Sequence, residues 1–263
     1  MATPAELAAY KAVGTLYNAL MTALVLGLVT RRGEDTAREY VFRHFRRQHL
    51  EKFLPGLQKL GLADLPAAPT CALYHYHSNA LGGVKTGYLK ENDKKAWVRY
   101  PPPRWIWKGT AIAAVPHSVS AAMLHGWHGH NGVSLGKPGL GFVCTGQTPD
   151  GDPGLEGYFL EHDHDLAPED RLRFARHEQA PPFDASLAPQ LNPADWPPIR
   201  LAKAHRAYAM EYVRSAWPET IQLFGAETAR DTLIELQRIR AIGEVTPAVA
   251  RPADRKSTRL NSS

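Results

Sequence analysis

The sequence predicts an α+β fold in which an antiparallel sheet is covered by N-terminal and C-terminal helices. Three observations carry that expectation. Residues 5–60 repeat apolar side chains at helical spacing. Residues 71–100 and 140–165 form short alternating or apolar runs broken by turn residues. Residues 200–242 return to the helical period. A chain of 263 residues that is 44% hydrophobic can bury a sizeable core, so residues 1–250 are expected to form a single catalytic or ligand-binding domain.

In the first helix, Leu7, Tyr10, Val13, Leu16, Tyr17, Leu20, Leu24 and Val25 recur mostly at spacings of three and four. Its mostly apolar part, Thr15 to Val29, is shorter than the roughly 20 residues that span a bilayer. Glu6 precedes it and no convincing cleavage site follows. A buried helix is therefore expected, with no membrane association and a cytoplasmic location. Its apolar surface also suits a homo-oligomer. Gly33 breaks the chain, and Ala37, Tyr40, Val41, Phe45, Leu50, Phe53, Leu54, Leu57 and Leu60 resume the helical pattern. Pro55 is expected to kink or split that run.

CALYHYH at 71–77 alternates and reads as a strand with His75 and His77 on one face. VKTGYLKENDKKAWVRY reads as a hairpin turning at Glu91-Asn92-Asp93, and Pro101-Pro102-Pro103 stops the pairing. A helix capped by Thr110 or Ser118 is expected to run to about Leu124 and end at Gly126, followed by a glycine-rich loop, GWHGHNG. LGFVCTGQ at 140–147 is a strand, TPDGD a turn, and LEGYFLEHDHD the returning strand, with His162 and His164 on one face. Ala167 to Asp170 opens a short helix. Residues 179–198 are a proline-rich loop, and 200–242 are helical with interruptions at Pro218 and Gly225.

RGEDTAREYV at 32–41 and FGAETARDTL at 224–233 echo one another, as two helix starts built alike or as a duplication. RKSTRLNSS at 255–263 resembles the translation of a sequencing adapter. Residues 251–263 are therefore expected to be a disordered tail outside the fold, in a gene taken from a sequence assembly.

The net charge of +5 is partly concentrated in Arg31, Arg32, Arg38, Arg43, Arg46 and Arg47. No nucleic-acid motif accompanies them, so a solvated helix face is expected and no nucleic-acid partner. Two cysteines, Cys71 and Cys144, make no disulfide framework and suit a reducing compartment.

The helix entry GEDTAREYV, the strand-turn-strand VKTGYLKENDKKAWVRY and the hairpin GFVCTGQTPDGDPGLEGYF follow one another in an order of elements that resembles the L-2-amino-thiazoline-4-carboxylic acid hydrolase-like family. That family is related in fold to vinyl-reductase-like and TRAPP-like ligand-binding domains, and the resemblance covers roughly residues 10–165. Family members commonly carry Cys-Pro after the middle hairpin, where this chain has Pro101-Pro102-Pro103. They also commonly carry a Cys after the Gly-Asp turn, where this chain continues Pro153-Gly154-Leu155. Both departures point away from a shared thiol mechanism.

Histidine carries the chemistry instead. Six of the twelve lie between Pro116 and Asp165: His117, His125, His128, His130, His162 and His164. His75 and His77 precede them. His125, His128, His130, His75 and His77 are candidates for acid–base catalysis, with Glu161 and Asp163 orienting them. His162 and His164 are candidate ligands for a divalent transition metal, zinc or iron. Cys144 is a weaker candidate nucleophile, and Trp97, Trp105, Trp107 and Trp127 could wall a ligand pocket. The function expected is a small-molecule hydrolase or lyase using histidine acid–base chemistry, with or without metal assistance, on a polar heterocyclic or carboxylated substrate. The alternative is a non-catalytic binding or scaffold module. Convergent histidines and acids would favour the enzyme, and an apolar cavity the binding module.

Overall fold

The computed structural model describes residues 3–101, 114–231 and 234. Among the described residues the main elements follow in the order α1 (Pro4–Arg32), α2 (Glu34–Leu60), α3 (Ala67–Leu81), β1 (Gly87–Asn92), β2 (Lys95–Tyr100), α4 (His117–Gly126), α5 (Asn131–Ser134), β3 (Leu140–Gly146), β4 (Leu155–Glu161), β5 (Leu172–Phe174) and α6 (Pro198–Phe224). The sheet order is β1-β2-β4-β3-β5. All pairings are antiparallel except the short β5, which runs parallel to β3. Mixed helix and sheet, with helices at both ends of the chain, matches the expected α+β class.

Strand alternation divides the side chains between the two faces of the sheet. Ala96, Val98, Tyr100, Leu140, Phe142, Cys144, Leu155 and Phe159 point toward the helices and join one core with residues of α1, α2, α3, α4 and α6. Trp97, Val143 and Tyr158 face the other way, into a small cluster covered by Ala175, Ala180 and Phe183 of the proline-rich loop. The β1–β2 hairpin forms as expected, but its turn lies at Asp93-Lys94, one residue later than the sequence suggested.

Helix α1 starts with a capping box, in which Thr3 Oγ1 accepts from Glu6 N–H while the Glu6 carboxylate accepts from Thr3 N–H. By length and composition α1 could cross a membrane. No residue from Leu16 to Val29 is exposed, however, and this stretch packs against α6 and α2. Helices α2 and α6 both run unbroken through an internal proline, Pro55 and Pro218. The expected kink-or-split at Pro55 and the interruption at Pro218 therefore do not end those helices, because packing along their length outweighs one lost backbone hydrogen bond. Gly33 and Gly225, the glycines of the internal echo, adopt nearly the same backbone conformation, φ 84° ψ 167° and φ 80° ψ 159°, each between two helical segments.

The main correction concerns residues 71–77, which are helical. Alternation in a short apolar run does not distinguish a strand from a helix that is buried nearly all round. Eleven of the 15 residues of α3 are buried, so no polar face marks the helical period. His75 and His77 therefore lie about 200° apart around the helix instead of on one face. The glycine-rich loop is also more regular than expected: His128–His130 make a 3-10 turn that leads into α5. Ser118 is not a cap, since Pro116 precedes the first helical residue and Ser118 hydrogen-bonds Glu34 of α2. Thr110, Trp105, Trp107 and the tail 251–263 lie outside the described residues.

Gly126 fixes the crossing of α4 over α2. A Cβ there would stand 2.6 Å from Phe42 O and 3.0 Å from Arg46 N, both rigid backbone atoms. Gly126→Ala is expected to cost about 1–3 kcal/mol through overpacking, lowering the melting temperature by several degrees. An unchanged melting curve would mean that the two helices do not approach so closely.

Candidate functional site

A cavity of about 420 Å³ opens between α2, α3 and α6 and ends against the sheet side of the core. α2 lends Phe45, Gln48, Pro55, Gly56 and Leu60, α3 lends Tyr74, His75 and Asn79, and α6 lends Ala204, Tyr208 and Tyr212. Tyr100, Met123, Trp127 and His128 close its inner end, and Trp196 of the proline-rich loop stands on the wall. The lining is largely aromatic and aliphatic, as small-molecule sites commonly are.

Two imidazoles supply the polar part of the inner wall. The rings of His75 and His128 stack with centroids 4.1 Å apart and planes 8° from parallel. Phe159 lies parallel to both, 5.5 Å from His75 and 5.8 Å from His128, and Phe142 tilts against His128 at 4.6 Å. Burial holds the His75 pKa down at about 3, and the nearby His49 pushes it the same way. Neutral imidazole is thus the form present at neutral pH.

Two hydrogen bonds, one to His49 and one to His75, bear on the His75 tautomer. Arg46 Nη1 donates to His49 Nδ1 at 2.7 Å, which leaves the His49 proton on Nε2. His49 Nε2 and Asn131 Oδ1 are both buried and fall outside close hydrogen-bond geometry with any partner. Asn131 nevertheless stabilises the protonated form of His49, although burial and then Arg46 dominate and keep that pKa at about 3. With Asn131 Oδ1 turned toward His49, its Nδ2 donates to His75 Nε2 at 3.1 Å. The His75 proton then sits on Nδ1. Tyr100 Oη stands 3.3 Å from His128 Nε2. The inner wall therefore offers hydrogen-bonding groups, with His75 neutral among them.

Cations gather at the mouth. Lys52 pairs with Glu211 at 3.4 Å, and Lys59 lies 5.5 Å from the Trp196 ring, whose other cationic neighbour is Arg200 at 4.2 Å.

Of the histidines named from sequence, only His75 and His128 meet at the cavity. His77 is buried elsewhere on α3, and burial lowers its pKa. His130 Nδ1 donates to the His125 carbonyl, 2.7 Å away, and neither ring lines the cavity. Glu161 sits 3.7 Å from Lys137, and Asp163 pairs with Lys94, so neither acid orients a cavity histidine. Glu156 pairs with Arg99 on the far face of the sheet.

His162 and His164 are a correction to the strand reading. β4 ends at Glu161, so they occupy the following loop, with ring centroids 5.3 Å apart, rather than one strand face. Among the described residues no three His, Cys, Asp or Glu side chains are placed to hold a metal ion, so that pair gains no third ligand. Cys144 is wholly buried in β3, and burial pushes the equally buried Cys71 thiol far up. Trp97 is on the reverse face, donating to Glu91 at 2.7 Å. Three arginines of α2 are engaged in ion pairs, Arg38 with Asp35 and Arg43 with Glu39 along the helix and Arg47 with Glu219 of α6.

Sequence reading missed His49, Asn131 and Tyr100. The signal for His49 was present. Tyr40, Val41, His44, Phe45, Gln48, His49 and Phe53 share the buried stripe of α2, so two histidines fell on an apolar face.

His44, His49 and His75 each have a pKa of about 3, below the ordinary 6.5, with burial as the leading cause. Their folded pKa values are depressed, so above pH 6.5 folded and unfolded chains are equally neutral and stability is full. As pH falls below 6.5 the unfolded chain takes up protons that the folded chain refuses. Stability is therefore lost between pH 6.5 and about pH 3, at up to about 1.4 kcal/mol per pH unit for each histidine. Urea unfolding at pH 7.0, 6.0 and 5.0 should show this decline, and His44→Phe should make it shallower. A flat profile would place these rings in water. No protein-family model, curated protein or solved structure matches this chain.

Proposed function

We propose that this chain is a small-molecule-binding protein whose cavity takes a flat, largely apolar ligand carrying one hydrogen-bond acceptor. One observation carries the reading: a 420 Å³ aromatic-walled cavity ends on two stacked imidazoles, and Asn131 occupies Nε2 of one of them, His75. The ligand body packs between Tyr74, Trp127 and Tyr208. A ring nitrogen or carbonyl oxygen accepts from His75 Nδ1. An anionic substituent, if present, lies toward Lys52 and Lys59. Such a ligand is a heteroaromatic or a carboxylated aromatic, more apolar than the polar heterocyclic or carboxylated substrate expected from sequence.

Acid–base turnover in this cavity has less support. A general base works best with a pKa near the working pH, and His75 lies far below it. Glu211, the acid on the cavity lining, is engaged by Lys52 and Arg214. Binding without chemistry is also the property of the vinyl-reductase-like relatives of the family that the sequence resembles.

Displacement of 1-anilinonaphthalene-8-sulfonate by quinoline and by naphthalene tests the reading. The two competitors share a shape and differ by one ring-nitrogen acceptor. Quinoline is expected to bind about tenfold more tightly, the worth of one hydrogen bond. His75→Phe should abolish that preference while leaving naphthalene binding in place. Ala204→Trp, which fills the cavity from α6, should abolish both. Equal affinities in the parent, or binding that survives Ala204→Trp, would sink the proposal.

A further inference from the structure

A second constellation lies outside the cavity, at the opposite end of α4. His117 is the first residue of that helix, and Asp150 closes the 3-10 turn Thr148–Asp150 after β3. His117 Nδ1 is 2.7 Å from Asp150 Oδ1 and 3.0 Å from Oδ2. Arg176, just beyond β5, donates from Nη2 to Asp150 Oδ2 at 2.7 Å and reaches within 3.1 Å of His117 Nδ1. Gln147 is fully buried, and its amide lies 2.6 Å from the same ring nitrogen with Oε1 lacking a partner. Turning that amide would let Oε1 share the Nδ1 proton with Asp150. Phe174 forms a floor, 5.0 Å from the His117 ring and 6.0 Å from the Arg176 guanidinium.

Three segments distant in sequence thus place a carboxylate, an imidazole and a guanidinium together. Asp150 is 13% exposed and His117 39%. Burial alone would raise the Asp150 pKa, but hydrogen bonds from His117 and Gln147 and the charges of His117 and Arg176 outweigh it and hold the carboxyl below its usual range. An ionised carboxylate on Nδ1 fixes the proton there and leaves Nε2 as the basic nitrogen. Nε2 has no partner among the described residues. The same holds for Arg176 beyond its contacts with Asp150, His117 and Phe174.

We propose that His117 and Asp150 form an acid–base dyad that hydrolyses small carboxylic esters, with Arg176 receiving an anionic substituent of the substrate. In the step, Nε2 takes a proton from water as the water oxygen bonds to the ester carbonyl carbon. The bond from that carbon to the leaving oxygen then breaks, and the imidazolium returns its proton to the departing alkoxide. Asp150 stays ionised throughout, stabilising the imidazolium. Water and ester give acid and alcohol, and no other reactant is needed. The site is independent of the cavity and does not rest on the binding reading.

The test compares hydrolysis of 4-nitrophenyl acetate and the anionic 4-nitrophenyl hydrogen succinate by the parent and four variants. The parent is expected to prefer the succinate ester. His117→Gln, whose amide can still bond Asp150, should lose about 100-fold or more in kcat/KM. Asp150→Asn should lose activity and shift the pH profile. Arg176→Gln should abolish the preference for the anion, bringing the ratio of succinate-ester to acetate kcat/KM down to about one. His164→Gln reports what an exposed imidazole does to an activated ester without a built site. Melting curves confirm that each variant is folded, and quinoline binding should be unchanged in all of them. Parent turnover no greater than that of His117→Gln, or equal losses in His117→Gln and His164→Gln, would falsify the dyad.

Discussion

The contact on which the interior depends is the face-to-face stack of His75 on His128. It joins α3 to the turn after α4, and through Phe142 and Phe159 it joins both to the sheet. Two imidazoles at 4.1 Å in a dry core must not both be charged, because repulsion between like charges rises steeply as the dielectric falls. Burial keeps His75 neutral, and a buried neutral imidazole needs defined hydrogen-bond partners. Asn131 and Tyr100 meet that need from two sides. The same neutrality makes the cavity end a place for a hydrogen-bond acceptor and a poor place for an isolated charge.

Helix α2 extends this polar interior through the core. Its buried stripe carries His44, Gln48 and His49 among Tyr40, Phe45 and Phe53. Gln48 donates to Ser215 of α6 at 2.8 Å, and the His44 ring lies between those of Tyr40 and Tyr212 at 6.0 and 6.1 Å. Polar side chains on a packed stripe contribute less stability than aliphatic ones and specify more, since their partners fix one register between helices. α2 can meet α6 through Gln48–Ser215 and Arg47–Glu219 only when both pairs align. The walls of the cavity, built mainly from these two helices and α3, inherit that register.

The sequence made much of this fold legible, and the exceptions share one cause. The turn residues of the β1–β2 and β3–β4 hairpins and the 3.6-residue period of α1, α2 and α6 are local signals, and they located those elements. α3 was misread because a helix enclosed by sheet and helices shows no polar face, and Tyr-His-Tyr-His supplied a false period of two. The candidate site was legible in part. Clustered histidines marked the right region, but which of them converge is set by α3 being a helix. His162 and His164 stand together in sequence and remain at the surface. His75 and His128, 53 positions apart, become neighbours. His117 was visible as a residue, but its partners, Asp150 and Arg176, could be assigned only once β3 and β5 lay side by side.

That parallel pairing of β3 with β5 gives α4 a role at each of its ends. The C-terminal end carries Met123 and leads into Trp127 and His128 at the cavity. The N-terminal end holds His117 over the turn that leaves β3, beside the arginine that follows β5. Ten residues of helix separate the two by about 15 Å, and Gly126 presses the helix onto α2 with no room for a side chain. A helix clamped at one end by a backbone contact and at the other by a carboxylate cannot rotate to bring both sets of groups to one ligand. The two groups of residues are therefore separate by construction: the cavity lies at the C-terminal end of α4, and the cluster of His117, Asp150 and Arg176 lies at its N-terminal end.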